Sequence, residues 1–406
     1  MKNRIPKRRW LLVLAIVMSL LLLATACTQP VEPPVDGKKV VKIGNTTCLT
    51  GAASSSEQPA LQGHLDYVNY FNDEVGIPGV TIEHVWMDCD YDVPRMISNY
   101  RKLLEQGVVC LHSNYTPGIE AVLSRLEGDG VPLVSASISS ALVWPREWGI
   151  YFSNQTYGER AAIVIDYFME NWKGDEPPTI AFMGPDSSYG REPAEAGSKY
   201  AESLGCKVLP MEITPYVVID ASTQLLRLEE GGADLVMLQL LQPGMVAVMK
   251  DAERLGLLDK MQFYGTDTGV GDNIINISAA EGFLTAKYVP WYDETDIPGM
   301  KALVDNQLKY SGNIEREPNY MAGWVPSAIS TEAVRRAIAK VGYENLDGLA
   351  VQEELENMKD FDAQGLITID YLPNDVRGTH KAAIYQVQSG KLVRISDWLE
   401  TPVLTP

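Results

Sequence analysis

Four serines crowd a stretch of six residues, Ser135, Ser137, Ser139 and Ser140, directly after Val131-Pro132-Leu133-Val134. Hydroxyls at a strand end, with backbone N–H groups beside them, offer the donors a carboxylate needs, and hydrogen bonds to a charged group are the strong kind. The competing reading is a turn whose serines bond their own backbone. Asp88, Asp90 and Asp92 stand at alternate positions, but three acids so spaced in a turn are ordinarily a solvated loop. No G-x-S-x-G, H-E-x-x-H, P-loop or G-x-G-x-x-G motif occurs. The four histidines, His64, His84, His112 and His380, are scattered and no Cys-x-x-Cys exists, which argues against a zinc site. The chain is therefore expected to be no enzyme and to carry no catalytic residues, no metal and no cofactor.

The loops that matter are set by a regular alternation of strand and helix. Val40 to Asn45 reads as a strand, Leu61 to Val75 as a helix with apolar residues near helical spacing, and Val80 to Met87 as a strand. Pro94 to Gln106 is a helix stopped by Gly107, Val108 to Leu111 a strand, Pro117 to Glu127 a helix and Val131 to Ser135 a strand. The pattern then restarts. Helices are expected at Glu159 to Trp172, Arg191 to Leu204, Ser222 to Glu230 and Met245 to Leu255, between strands at Thr179 to Met183, Lys207 to Met211, Leu235 to Leu240 and Gln262 to Gly265. Ala328 to Val341 is a further amphipathic helix, and Ala382 to Val387 with Leu392 to Ile395 a hairpin around Ser389-Gly390. Such alternation predicts parallel sheets covered by helices, with any ligand at the carboxyl ends of the strands. Two series within 406 residues predict two lobes.

The chain opens with Lys2, Arg4, Lys7, Arg8 and Arg9, then an apolar run from Leu11 to Leu23, then Ala24, Thr25, Ala26 and Cys27. That is the layout of an export signal, too short to span a bilayer. Small residues before Cys27 resemble a bacterial lipobox, which implies lipid on Cys27 and a membrane anchor after removal of residues 1–26. Residues 27–39 read as an extended tether rich in Pro and Val. The net charge of -19 repels phosphates and excludes nucleic acid as a natural partner. Export to an oxidising compartment permits a disulfide among Cys48, Cys89 and Cys110, with the pairing open, while Cys206 suits a buried thiol.

Taken in order, several short runs resemble the binding proteins for leucine, isoleucine and valine of the ABC importers. They are Leu49-Thr50-Gly51 with Gly63 following, Met87-Asp88-Cys89-Asp90, Gly130 to Ser137, Asp186-Ser187-Ser188-Tyr189-Gly190, and Tyr264-Gly265-Thr266-Asp267. The resemblance covers roughly residues 40–396. It implies the type I periplasmic-binding fold, an α/β architecture of two lobes, each a parallel sheet flanked by helices, joined by a three-strand hinge. The crossings would fall near Ser153, Ala286 and Thr379, giving one lobe of 40–153 plus 287–378 and another of 154–286 plus 379–406.

The resemblance also implies roles. Thr116, Ser137 and Ser139 would grip an amino acid, Asp267 would meet its ammonium, and Tyr189 would close over it. Departures bear on the rest of the pocket. Ser56 stands where an aromatic is usual, and a second aromatic position falls at Leu241 beside Gln242. Ser56 and Gln242 therefore join the candidates, and Trp144, Tyr157, Trp291 and Trp324 could replace the lost aromatic surface, although each is more often core. The implied ligand is an amino acid or a related small polar molecule, and the implied partners are permease and ATPase subunits. The alternative is a sensing receptor of the same fold that binds an amide, a urea-like compound or an aromatic acid.

Overall fold

The computed structural model describes residues 37–404. The export signal, Cys27 and the tether as far as residue 36 lie outside them. Five strands form the first sheet: β1 (Lys39–Thr47), β2 (Val80–Asp88), β3 (Val108–His112), β4 (Leu133–Ser135) and β5 (Ile150–Phe152), in the order β2-β1-β3-β4-β5. β3 pairs parallel with β1, Asn45 opposite His112, and β4 and β5 continue parallel. The strands β3, β4 and β5 are wholly buried, as strands covered on both faces must be, while the edge strand β2 is partly exposed. Around it lie α1 (Ser54–Tyr70), α2 (Val93–Glu105) and α3 (Thr116–Val122).

The second sheet begins after α4 (Tyr157–Asn171). It contains β6 (Thr179–Pro185), β7 (Lys207–Val208), β8 (Glu212–Thr214), β9 (Leu235–Leu238), β10 (Gln262–Gly265) and β11 (Leu284–Lys287). Between these run α5 (Ser188–Ser203), α6 (Ser222–Glu230) and α7 (Gln242–Arg254). After α8 (Pro298–Ser311), α9 (Pro318–Val341), α10 (Gly348–Glu356) and the small pair β12 (Phe361–Asp362) and β13 (Thr368–Ile369), the chain returns as β14 (Lys381–Gln388), β15 (Lys391–Arg394) and β16 (Leu399–Glu400). The order is β15-β14-β11-β10-β9-β6-β7, with β8 on β6 and β16 on β14. This sheet is mixed rather than wholly parallel. β14 runs antiparallel to β11, and it leads into a hairpin with β15 whose tip, Ser389-Gly390, adopts left-handed backbone.

The helices differ from expectation where polarity hides their period. α1 begins at Ser54, not Leu61, because its first turn is Ser54-Ser55-Ser56-Glu57, which reads as loop. α9 begins at Pro318, not Ala328. Pro326 lies inside it, and burial on nearly every side removes the amphipathic stripe that would reveal it. α1 and α9 pack closely through glycine. A Cβ on Gly63 would lie 2.0 Å from the Tyr320 carbonyl oxygen, and one on Gly323 1.9 Å from that of Ala60. Cys48 and Cys89 form the disulfide, joining the segment after β1 to the end of β2, and Cys110 and Cys206 are buried free thiols. Among the described residues no helix is long and apolar enough to cross a membrane.

Candidate functional site

Each sheet has one place where the strand order reverses, and crevices open there at the carboxyl ends of the strands. In the first sheet it lies between β1 and β3, so the segments after Thr47 and His112 flank it. In the second it lies between β6 and β9, flanked by the segments after Pro185 and Leu238. One cavity is lined from all four segments. Cys48, Ser56, Glu57, Asn114, Tyr115 and Thr116 come from the first two, and Tyr189 and Leu241 from the others. Ser137 after β4, Tyr157 at the start of α4, Thr268 after β10, Asn319 on α9 and Tyr91 after β2 add to its polar lining.

Three hydroxyls meet on one wall. Thr116 Oγ1 lies 2.9 Å from Ser137 Oγ and 3.4 Å from the Tyr157 hydroxyl, and Ser137 is hydrogen-bonded to Tyr157. Ser135 stands behind them. Its hydroxyl donates to the Ser113 carbonyl at 2.6 Å and accepts the Ser137 N–H at 2.9 Å, which fixes the loop that carries Ser137. Tyr157 is positioned by a capping box: the Glu159 N–H donates to the Thr156 hydroxyl, and the Glu159 carboxylate accepts the Thr156 N–H. The opposite wall carries Tyr189, edge-on to Tyr157 with ring centroids 5.4 Å apart. The Ser56, Tyr189 and Thr268 hydroxyls are buried without hydrogen-bond partners in the protein.

Of the residues expected at the site, Thr116, Ser137, Tyr189 and Ser56 line this cavity and Ser139, Gln242 and Asp267 do not. Ser139 donates to Glu120 at 3.3 Å, and Glu120 also accepts from Ser188 at 3.1 Å, so this carboxylate joins α3 to α5 across the cleft. Gln242 bonds Glu317 and accepts from Asn273 at 2.9 Å at the rim, a second bridge. Asn319 donates to the Thr268 carbonyl at 2.8 Å, a third. Asp267, expected to meet an ammonium, instead pairs with Arg160 of α4 and accepts the Thr268 N–H at 2.8 Å. Its charge is thus neutralised within the protein.

The missing aromatics are replaced from other loops. Tyr91 and Tyr115 line the cavity with ring centroids 4.3 Å apart. Tyr91 follows Asp90, and both have left-handed backbone, φ 55° and 53°, a strain of about 1–3 kcal/mol each that tends to gather at functional sites. The acidic turn holds this segment: Asp88 accepts the Leu49 N–H at 2.8 Å and the Thr50 hydroxyl at 2.6 Å, and Asp92 caps α2. Tyr157 serves in the cavity as the sequence allowed, whereas Trp324 stacks on Tyr70, Trp291 meets Lys287 and Trp144 meets Arg377. Glu57, Tyr91, Asn114, Tyr115, Thr268 and Asn319 escaped sequence reasoning. Tyr91 and Thr268 adjoined runs already flagged, Glu57 followed the candidate Ser56, and Asn114 and Tyr115 preceded the candidate Thr116.

Glu57 is the one carboxylate in the lining. It accepts the Thr47 hydroxyl at 2.9 Å, and burial pushes its carboxyl up to about 7 against the pull of Thr47 and the Cys48 N–H.

The histidines scattered along the sequence are not scattered in the fold. His64 of α1, His84 of β2 and His112 of β3 meet in the buried layer beneath α9, their ligand-capable atoms within 4.8 Å of one another. The rings stack: His64 is 4.9 Å from His84 and 4.4 Å from His112, with planes 19° and 18° apart. Stacked rings aim their nitrogens along parallel planes rather than at one centre. Two of the rings bond α9, His64 to Ser327 and His112 to Ser330.

Residues 40–391 match the model of the periplasmic binding protein family, and the chain is a member of that family. Its fold is of type I, and proteins of this family bind ligands rather than transform them. Among solved structures, a branched-chain amino acid ABC transporter protein from Thermus thermophilus with bound valine superposes with a TM-score of 0.84 at 24% identity, over 91% of this chain and 98% of that one. A fatty acid ABC transporter substrate-binding protein from Thermomonospora curvata gives 0.81 at 20% identity, over 92% and 96%. A possible leucine/isoleucine/valine-binding protein from Rhodopirellula baltica gives 0.79 at 18% identity, over 90% and 98%. No curated protein matches.

Proposed function

We propose that the chain is the extracytoplasmic solute-binding lipoprotein of an ABC importer. Lipid on Cys27 holds it at the membrane, and it delivers a small polar ligand, an amino acid or a relative of one, to permease and ATPase subunits. The observation that carries this reading is the polar cavity at the two strand-order reversals, walled from both lobes and bridged by Glu120, Gln242 and Asn319. A ligand touching both walls favours the closed arrangement because it binds that arrangement better. Hinge motion at crossings near Ser153, Ala286 and Thr379 would exchange closed and open forms. Thr116, Ser137 and Tyr157 grip one polar end of the ligand, and Tyr189 covers it.

Calorimetric titration of the purified protein against the common amino acids tests this, with X-ray scattering on any ligand that binds. The bound protein is expected to be more compact, and unchanged dimensions at saturation would remove the closure mechanism. Ser137→Ala is expected to weaken binding about 10- to 100-fold, the worth of a hydrogen bond to a charged group. An unchanged affinity would take Ser137 out of the site. Cys27→Ser is expected to shift the protein from the membrane to the soluble fraction, or to leave its precursor uncut. A variant that remains membrane-bound and processed would refute lipidation.

A further inference from the structure

The cavity lining contains one carboxylate, Glu57, and four tyrosines, Tyr91, Tyr115, Tyr157 and Tyr189, but no lysine, arginine or histidine. Asp267, the acid expected to meet an ammonium, is committed to Arg160, whose guanidinium carbon lies over the Tyr157 ring 5.1 Å from its centroid. A carboxylate among aromatic faces suits one ligand chemistry above others. The ring quadrupole attracts a cation to the face, and the carboxylate adds a charge-assisted contact. An anionic ligand group would instead meet a like charge whenever Glu57 is ionised.

Resting on the solute-binding reading above, we infer that Glu57 is the specificity-determining residue of the cavity, selecting ligands that carry a positively charged nitrogen, which lodges between its carboxylate and the tyrosine rings. Its place in the fold explains how it comes to serve. α1 begins seven residues before Leu61, so the polar turn Ser54 to Glu57 is helical and stacks against the end of β1, where Thr47 holds the carboxylate at 2.9 Å. The neighbouring Ser56 hydroxyl, buried and without a partner in the protein, is available to a ligand donor beside it. The ammonium anchor thus moves from the second lobe to the first, and the hydroxyl group of Thr116, Ser137 and Tyr157 is left for the ligand's other polar end.

The test uses two series that keep one carbon skeleton and retain both the amine and the carboxylate, the amine alone or the carboxylate alone, namely L-valine, isobutylamine and isovalerate, and L-phenylalanine, phenethylamine and hydrocinnamate, with choline as a permanent cation. Each is titrated calorimetrically at about pH 8, above the Glu57 value of about 7, into the full-length protein and its Glu57→Gln variant. Gln keeps the size of the side chain and an acceptor for Thr47, so the variant is expected to fold, and its melting curve checks that. The expected result is binding confined to probes with a cationic nitrogen, weakened about 10- to 100-fold by Glu57→Gln. Glu57→Ala is expected to show the same loss. Equal binding of an acid and its amine-bearing counterpart, or an affinity that Glu57→Gln leaves unchanged, overturns the inference. A protein that ignores every cationic probe yet binds an anionic or uncharged solute overturns it while sparing the solute-binding reading. A protein that binds no solute at all overturns both.

Discussion

Asp267→Ala is expected to lower folding stability by about 3–5 kcal/mol, the cost of leaving a buried charge without its partner. The Arg160 side chain is 1% exposed and the Asp267 side chain 7%. Nε and Nη2 of the Arg160 guanidinium have no hydrogen-bond partner in the protein and only Nη1 reaches Asp267, so Asp267 is its principal compensation. The sign of the double replacement differs from that of the single one. Arg160→Met with Asp267→Leu removes both charges together and is expected to recover most of the loss, because a buried ion pair is often worth no more than apolar side chains of similar volume. Urea unfolding of the two single variants and the double variant decides the matter. A loss below about 1 kcal/mol for Asp267→Ala, the range of an exposed pair, would show that water reaches Arg160. A protein that keeps full stability but loses ligand affinity would restore the ammonium-binding role that the family resemblance implied for Asp267.

That contrast shows which parts of the site were legible. A residue's type and its place after a strand are visible in the sequence, so the segments around Thr116, Ser137 and Tyr189 could be marked in advance. What pairs with what is not visible, because the partner comes from a distant element. Arg160 sits on α4, 107 positions from Asp267, and nothing in its surroundings announces that it will neutralise that acid. Glu57 was hidden for another reason. The first turn of a helix facing a polar cavity must itself be polar, which erases the apolar spacing by which helices are recognised.

The same logic governs the fold. The alternating strands and helices of the first lobe were readable because each strand is an apolar run bounded by turn residues. The mixed character of the second sheet followed from its terminal hairpin, which was readable, but its attachment to β11 was not, since β11 reaches it only through long-range pairing. α9 fails by excess of burial, just as the start of α1 fails by excess of polarity. In both cases tertiary surroundings replace the amphipathic stripe as the cause of the helix. The disulfide is similar: three cysteines were eligible, and only the parallel course of β1 and β2 toward one end of the sheet brings Cys48 to Cys89.

The histidine layer predicts a loss of stability in mild acid. Burial holds His64 and His112 well below the ordinary histidine value of 6.5, each further lowered by neighbouring rings, and burial holds His84 down to about 3. Below about pH 6.5 the unfolded chain therefore takes up protons that the folded chain refuses, so stability falls as pH falls. Each histidine contributes about 1.4 kcal/mol per pH unit once well below its unfolded value. Glu57 and Glu192 act in the opposite sense, because burial raises their carboxyls to about 7 and about 8 and they gain on acidification down to the unfolded glutamate range. The total slope is therefore a difference, and one variant isolates the histidine part. His84 bonds nothing through either ring nitrogen, so His84→Leu removes a titrating group without breaking a hydrogen bond. Between about pH 6 and pH 4 its stability is expected to fall more gently than wild type, by about 1.4 kcal/mol per pH unit. Parallel slopes would mean that the layer is already protonated or open to water. The consequence reaches the cavity, because His64 lies on the helix that carries Ser56 and Glu57, and its partner Ser327 lies on the helix that carries Asn319. The folded rings stay neutral over this range, so their protonation accompanies opening of the α1–α9 contact, and the acid midpoint at which ligand binding is lost with the fold is expected to lie lower in His84→Leu than in wild type.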